Sequence, residues 1–155
     1  MHLGPDGEEL DSWYSPINPE RNVGATQVHG LSNAQLRGAP TFGLVAEQLC
    51  SHIQGTVVAH NATFDLRFIL NQLRAEHARL RDFRWLCTMR LASDLGIPKG
   101  RRKLADLADL YGVDLYGAHN ALADAKACGE IMFALQGSTA AALPAFHGWA
   151  SEVKL

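Results

Sequence analysis

The strongest constraint on the fold lies between residues 55 and 80. Gly55 precedes Thr56-Val57-Val58-Ala59, a short apolar run rich in β-branched residues. A polar turn follows, His60-Asn61-Ala62-Thr63, and then Phe64 to Leu80, where Leu66, Ile69, Leu70, Leu73, His77 and Leu80 recur at helical spacing. A buried strand that runs through a polar turn into an amphipathic helix is the opening of a βα unit. The pattern continues downstream. Phe83 to Thr88 reads as a second strand and Met89 to Leu95 as a short helix closed by Gly96 and Pro98. Lys103 to Tyr111 carries Leu104, Leu107, Ala108 and Tyr111 on one helical face, with Gly112 as its C′ residue. Ala121 to Gln136 is the last clear helix, ended by Gly137. Upstream, Thr41 to Gln54 predicts a helix, Ser32 and Gln35 form a capping pair for a short helix near Ser32–Leu36, and Glu9 to Ile17 predicts a strand after the Pro5-Asp6-Gly7 turn. Strands alternating with helices predict an α/β fold with parallel pairing. Residues 138–155 are Ala-rich and suggest no role.

Composition narrows the function classes. The 155 residues suffice for one domain with its own core, and 47% hydrophobic against 19% charged residues excludes wholesale disorder. The formal net charge of −2 excludes a surface that is basic all over, though a local basic patch is compatible with it. Cys50, Cys87 and Cys128 are odd in number and widely spaced, which argues against a disulfide framework or a zinc knuckle and for a reducing compartment. No apolar run reaches the ~20 residues of a membrane span, and Met1-His2-Leu3-Gly4-Pro5-Asp6 does not read as a signal peptide. The expected address is the cytoplasm, with no membrane partner.

Folds of this class place their chemistry just beyond the carboxyl ends of strands, and His60 to Asp65 occupies such a point. With Asn61 as N-cap, Asp65 falls in the first helical turn, where the helix dipole favours a carboxylate. A second group, Gly117-Ala118-His119-Asn120-Ala121-Leu122-Ala123-Asp124-Ala125, precedes and opens the last helix. His119 and Asp124 converge only if His119 lies before the helix and Asp124 within its first turns, as Asn120 at the N-cap allows. Read singly, each Asp is also ordinary helix punctuation. Together, two Asp could bind a hard divalent cation such as Mg²⁺ or Mn²⁺, and a neighbouring His could deprotonate water for phosphodiester hydrolysis.

The two groups resemble the second and third motifs of the DEDDh, or DnaQ-like, 3′→5′ exonucleases, the family that includes the proofreading subunit of bacterial replicases. His60, Asn61, Phe64 and Asp65 match "HN-x-x-FD", and His119, Ala121, Asp124 and Ala125 match "H-x-A-x-x-D-A". Thr26-Gln27-Val28-His29-Gly30-Leu31 is similar to the family's "H-G-[IL]" segment. The resemblance runs from about Gly7 to about Leu135. It implies Asp65 and Asp124 as metal ligands, His119 as general base, and His29, Asn61 and Phe64 as residues lining the site of the terminal nucleotide. It also implies a ribonuclease H-like mixed sheet flanked by helices, a two-metal Mg²⁺ or Mn²⁺ site, and a single-stranded or frayed nucleic-acid 3′ end as partner, DNA more than RNA. The cellular task would be proofreading or repair, with a DNA polymerase subunit as a further partner. Residues 1–136 would form the exonuclease domain and 137–155 a tail.

One departure is informative. The family carries a D-x-E pair on its first strand, and no such pair lies on an apolar strand here. Asp6-Gly7-Glu8 has the spelling but sits in a turn beside Pro5. The sequence thus lacks the family's first strand and most of its second, and two of four metal-binding carboxylates. A truncated gene model, a degenerate member and a strand supplied by another chain each account for this. The first is preferred, because the surviving motifs retain the catalytic residue types. The alternative function is a non-catalytic relative that binds nucleic-acid ends or a polymerase. Lys99-Gly100-Arg101-Arg102-Lys103 is expected either to contact phosphate or to be a solvated helix entrance. Trp13, Tyr14, Trp85 and Trp149 are expected as core or rim aromatics, the cysteines as buried small apolar residues, and His52 and His147 show no partner pattern.

Overall fold

The computed structural model describes residues 1–24, 30–115, 120–139 and 144–154. A small antiparallel hairpin, β1 (His2–Leu3) and β2 (Glu9–Asp11), opens the chain. Two helices follow, α1 (Asn33–Arg37) and α2 (Phe42–His52). The Ser32/Gln35 capping box forms as the sequence suggests. The centre of the fold is β3 (Thr56–Ala59), α3 (Ala62–Ala75) and β4 (Arg84–Cys87), with β3 and β4 parallel and Ala59 opposite Cys87. Next come α4 (Thr88–Asp94), a 3₁₀ turn at Lys99–Arg101, α5 (Leu104–Tyr111) and α6 (Ala121–Gly137). The chain closes with β5 (Gly148–Trp149), antiparallel to β4, and a 3₁₀ turn at Ala150–Glu152.

The alternation of β4 builds two cores. Leu86 points into a cluster with Leu91, Ala92, Leu107, Ala108, Ile131 and Leu135 from α4, α5 and α6. Trp85 and Cys87 point the other way, among Ala62 and Leu66 of α3, Phe83 and Ala150. Val58 of β3 joins the first core, and Val57 and Ala59 join the second. Period-2 alternation with apolar residues on both faces marks a sheet covered by helices on both sides. Each fully buried leucine or isoleucine in the first core contributes roughly 1.5–3 kcal/mol relative to exposure. The mixed sheet between helix layers is the architecture the sequence predicts.

Several boundaries differ from the periodicity, for identifiable reasons. The strand expected over Glu9–Ile17 pairs only at Glu9–Asp11, because its partner β1 is just His2–Leu3, and Pro16 lacks the N–H a continuing ladder would need. The helix expected to reach Leu80 ends at Ala75, and His77 takes a left-handed φ of 52°. Leu80 lies beyond it in extended chain and still packs on the second core. The C-terminal stretch supplies β5 and buries Ala150, although its composition signals neither.

β3 pairs with β4 on one side, and among the described residues no strand pairs with its other edge. All four residues of β3 are only half-buried, whereas Trp85, Leu86 and Cys87 of β4 are buried. The hairpin does not cover that edge by pairing. It rests on α6, where the Leu3 side chain lies over Gly129 and the turn residue Gly7, at φ +84°, lies against the Phe133 ring.

Candidate active site

The site lies where β3 and β4 end side by side. Beyond Ala59 the chain turns through His60 and Asn61 into α3, and beyond Cys87 it turns directly into α4 at Thr88. Asn61 is the N-cap of α3 as expected, but in a left-handed conformation (φ 59°, ψ 41°) and with no side-chain bond to the helix. Asparagine tolerates this region better than most residues. The conformation leaves its exposed amide free of the helix end.

Thr88 is fully buried and forms the hub of a small polar chain. Its Oγ1 lies 2.9 Å from His60 Nδ1 and 3.7 Å from Cys128 Sγ on α6. The backbone carbonyl of Arg102 also lies beside the imidazole and favours its protonated form. A carbonyl can only accept, so the nitrogen facing it carries hydrogen. Nδ1 is the nitrogen engaged by the Thr88 hydroxyl. Burial of His60 outweighs the carbonyl and lowers its pKa, so the ring is held neutral. Burial pushes the Cys128 thiol up to about 12, against the Thr88 hydrogen bond that lowers it. It remains an S–H group able to donate to Thr88.

Asp65 stands in the first turn of α3, half-buried. Burial raises its pKa, and its own backbone N–H pulls the other way. Among the described residues, neither Asp65 nor Asp124 has a Lys or Arg ion-pair partner. Asp124 lies in the first turn of α6, whose N-cap Asn120 accepts the Leu122 N–H at 3.0 Å. Asp124 and Cys128 are i and i+4 on that helix and so share a face. Cys128 touches Thr88 and feels the Asp65 charge. Asp124 therefore lies on the α6 face that also carries Cys128. Two half-buried carboxylates with no cationic partner suit a hard divalent ion by donor type. A D-x-E strand is not among the elements beside them: Asp6 and Glu8 sit in the hairpin turn, where the Gly4 N–H bonds to the Glu8 carbonyl.

Of the other expected site residues, Phe64 is exposed on α3, with Phe68 exposed one turn further on. His29 and His119 lie outside the described residues. The proximity of the Arg102 carbonyl to His60 places the basic run Lys99–Lys103 at the rim of the site. Sequence reasoning gave Thr88 and Cys128 no role there. The available signal was a threonine at a strand-to-helix junction parallel to the His60-Asn61 junction.

His147, without a pattern in the sequence, has clear partners. Its Nδ1 accepts the Cys87 N–H at 2.9 Å, and its own N–H donates to the Trp85 carbonyl at 2.7 Å. Side chain and backbone together extend the pairing of β4 past β5. Burial, and secondarily Arg90, lowers the His147 pKa against Asp94. His52 also has partners, at the opposite end of α2 from its N-cap.

Comparison with known proteins agrees with this geometry. The exonuclease model RNase_T matches residues 5–132. The DNA polymerase III epsilon subunit of Rickettsia prowazekii is 33% identical over 130 residues, covering 78% of this chain and 56% of that protein. The 3′-5′ exonuclease DinG of Staphylococcus saprophyticus is 33% identical over 99 residues, covering 63% of this chain and 11% of that protein. The chain therefore spans little more than half of the first of these relatives and a small part of the other. A solved structure of exonuclease X in complex with 5′ overhanging duplex DNA superposes with a TM-score of 0.59 at 21% identity, covering 81% of this chain and 73% of that one. No helix among the described residues is long and apolar enough to cross a membrane. The sheet, the paired strand ends and the family match over residues 5–132 converge on one conclusion: this chain belongs to the DnaQ-like exonuclease family.

Proposed function

We propose that this chain carries the substrate end and half of the metal-binding set of a divalent-metal-dependent 3′→5′ exonuclease acting on DNA ends. The observation that carries the reading is the half-buried Asp65, which has no Lys or Arg partner among the described residues and stands in the first turn of α3 just beyond the end of β3. In this reading Asp65 and Asp124 hold Mg²⁺ or Mn²⁺, which when bound supplies charge stabilisation to the phosphodiester. The remaining roles belong to the chain's own groups. The exposed Asn61 amide and Phe64 ring engage the terminal nucleotide, Phe64 by stacking on a base and Asn61 by hydrogen bonding. Neutral His60, fixed by Thr88, keeps the Asn61 turn in place. Lys99, Arg101 and Lys103 meet the backbone phosphates. His119 takes the proton of the attacking water, and His29 lines the nucleotide site. Residues 1–136 carry the chemistry, and the strand at Gly148–Trp149 braces β4 from beyond it. Proofreading or repair beside a polymerase, in the cytoplasm, is the task this activity serves.

A second reading is favoured by the open edge of β3 and the missing D-x-E pair. With two carboxylates, the domain would bind nucleic-acid ends, or a polymerase, without cutting. One experiment separates the two: the chain with a 5′-labelled single-stranded oligonucleotide and Mn²⁺, beside Asp124→Ala. Shortening from the 3′ end that vanishes in the variant supports the enzyme. Retention of the oligonucleotide without shortening supports the binding domain. Neither cutting nor binding overturns both.

A further inference from the structure

We propose that His2, Asp11 and His52 form a binding site for a borderline divalent cation of the Zn²⁺ class, remote in sequence from Asp65 and Asp124 and independent of the nuclease reading. Three elements build it. The hairpin register sets His2 of β1 opposite Asp11 of β2, and α2 ends at His52 beside them. The three donor atoms lie within 4.8 Å of one another. His52 Nδ1 is 3.5 Å and His2 Nδ1 4.0 Å from the same carboxylate oxygen, Asp11 Oδ2.

The tautomer of His2 is what makes this more than a cluster. Its Nε2 lies 2.5 Å from the His52 backbone carbonyl. A carbonyl accepts and never donates, so Nε2 carries hydrogen, and Nδ1 is the ring nitrogen that faces Asp11 and would ligate once unprotonated. A ligating imidazole whose other N–H is tied to a backbone carbonyl is the usual arrangement in metal sites. His52 is held from its flat side, its ring stacked on Trp13 at 5.3 Å and 14°. The three donor atoms cluster at one place, and among the described residues Asp11 has no Lys or Arg partner. His52 is also the last residue of α2, whose carboxyl end favours positive charge.

Two imidazoles and one carboxylate select the ion. Mg²⁺ prefers all-oxygen shells, whereas Zn²⁺ and its neighbours take mixed nitrogen and oxygen donors. At the usual bond lengths, donors of a tetrahedral Zn²⁺ stand roughly 3.4 Å apart. The Asp11–His52 pair, at 3.5 Å, meets that spacing as it stands, whereas His2, 4.0 Å from Asp11 and within 4.8 Å of His52, must close in as the ion binds. Asp11 is half-exposed, so solvent completes the shell. A bound ion would tie the N-terminal hairpin to α2, stabilising the folded chain by linkage.

The test is Zn²⁺ titration of the full chain, free of affinity-tag histidines, by calorimetry and thermal melting. The native chain should bind one Zn²⁺ at this site and melt higher with it, while Mg²⁺ at the same concentration should not compete. His2→Gln and Asp11→Asn should each weaken binding at least about tenfold, with unchanged far-UV circular dichroism without metal. The double variant Asp65→Asn/Asp124→Asn should keep the site. If Asp11→Asn fails to fold, His2→Gln decides alone, since it alters only the second residue. The visible spectrum of Co²⁺ bound to the native chain, lost on adding Zn²⁺, reports nitrogen ligation separately. No saturable binding, or binding indifferent to His2 and Asp11, would reduce the cluster to an ion-paired network and overturn the proposal.

Discussion

Replacing Thr88 by valine isolates the bond that orients His60. Valine matches threonine in shape and branching, so no cavity opens at this fully buried position. What is lost is the hydroxyl 2.9 Å from His60 Nδ1, together with the weaker contact to Cys128. Leaving a buried acceptor unpaired costs ~1–3 kcal/mol. His60 is only half-buried, so its ring can turn partly to water, which puts the cost at about 1 kcal/mol. Thr88→Ser makes the opposite cut. It keeps the hydroxyl and removes a buried methyl, again worth about 1 kcal/mol. Both variants should melt roughly 2–4 °C lower than the native chain, with urea midpoints reduced and slopes unchanged. They should part in function, with serine retaining 3′-end binding and valine losing part of it as the Asn61 turn loosens. A double-mutant cycle with His60→Phe should give a Thr88–His60 coupling near the valine cost. A Thr88→Val protein as stable as the native one, or a coupling of zero, would refute the assignment of Thr88 as the hub.

Asp65→Asn should stabilise the metal-free protein at pH 7 and, under the proposed function, abolish 3′-end cutting. Burial raises the folded-state pKa, so the carboxyl's favourable contribution exists only below its unfolded value and is lost as pH rises through the folded one. Urea midpoints in EDTA should rise at pH 7 and not at pH 3, and a lower midpoint at pH 7 would contradict this. His60 and His147 have lowered pKa values, so their contribution is present above the ordinary histidine value of 6.5 and lost as pH falls through the folded ones. Stability should fall between pH 7.5 and 5.5, less steeply in His147→Gln, as followed by urea midpoints at each pH. Gly129→Ala gains up to about 1 kcal/mol in helix propensity, but its Cβ would stand 2.5 Å from Leu3 Cδ1. Hydrogen exchange should show faster exchange in the hairpin amides and none in the centre of α6, and equal protection in both would show that Leu3 yields freely.

Much of the site was legible because its parts are local. The strand Thr56–Ala59, its polar turn and the helix carrying Asp65 appear in one continuous stretch, where period 2 gives way to period 3.6. Asn120 capping the helix that carries Asp124 is equally local. Contacts across the chain were hidden. Nothing in Gly148-Trp149 or His147 announces a partner for β4, because a two-residue strand has no periodicity and a side chain that mimics a strand has no pattern. Thr88 is similar: its meaning comes from His60, 28 residues earlier, and Cys128, 40 residues later. The end of α3 was overrun because Leu80 falls on the helical repeat while reaching the core from extended chain.

The side of β3 that no strand pairs among the described residues bears on how the protein behaves in solution. Sheets discourage one another with lysines, prolines and bulges along their margins. Thr56-Val57-Val58-Ala59 has none of these, and it sits at the centre of the domain's own chemistry. Such a margin is a template: a strand that comes to lie along it gains main-chain hydrogen bonds and covers half-buried valines at once. Solubility and folding yield are then not separate properties of this domain. The company β3 keeps sets both, and under the proposed function it would set cutting as well.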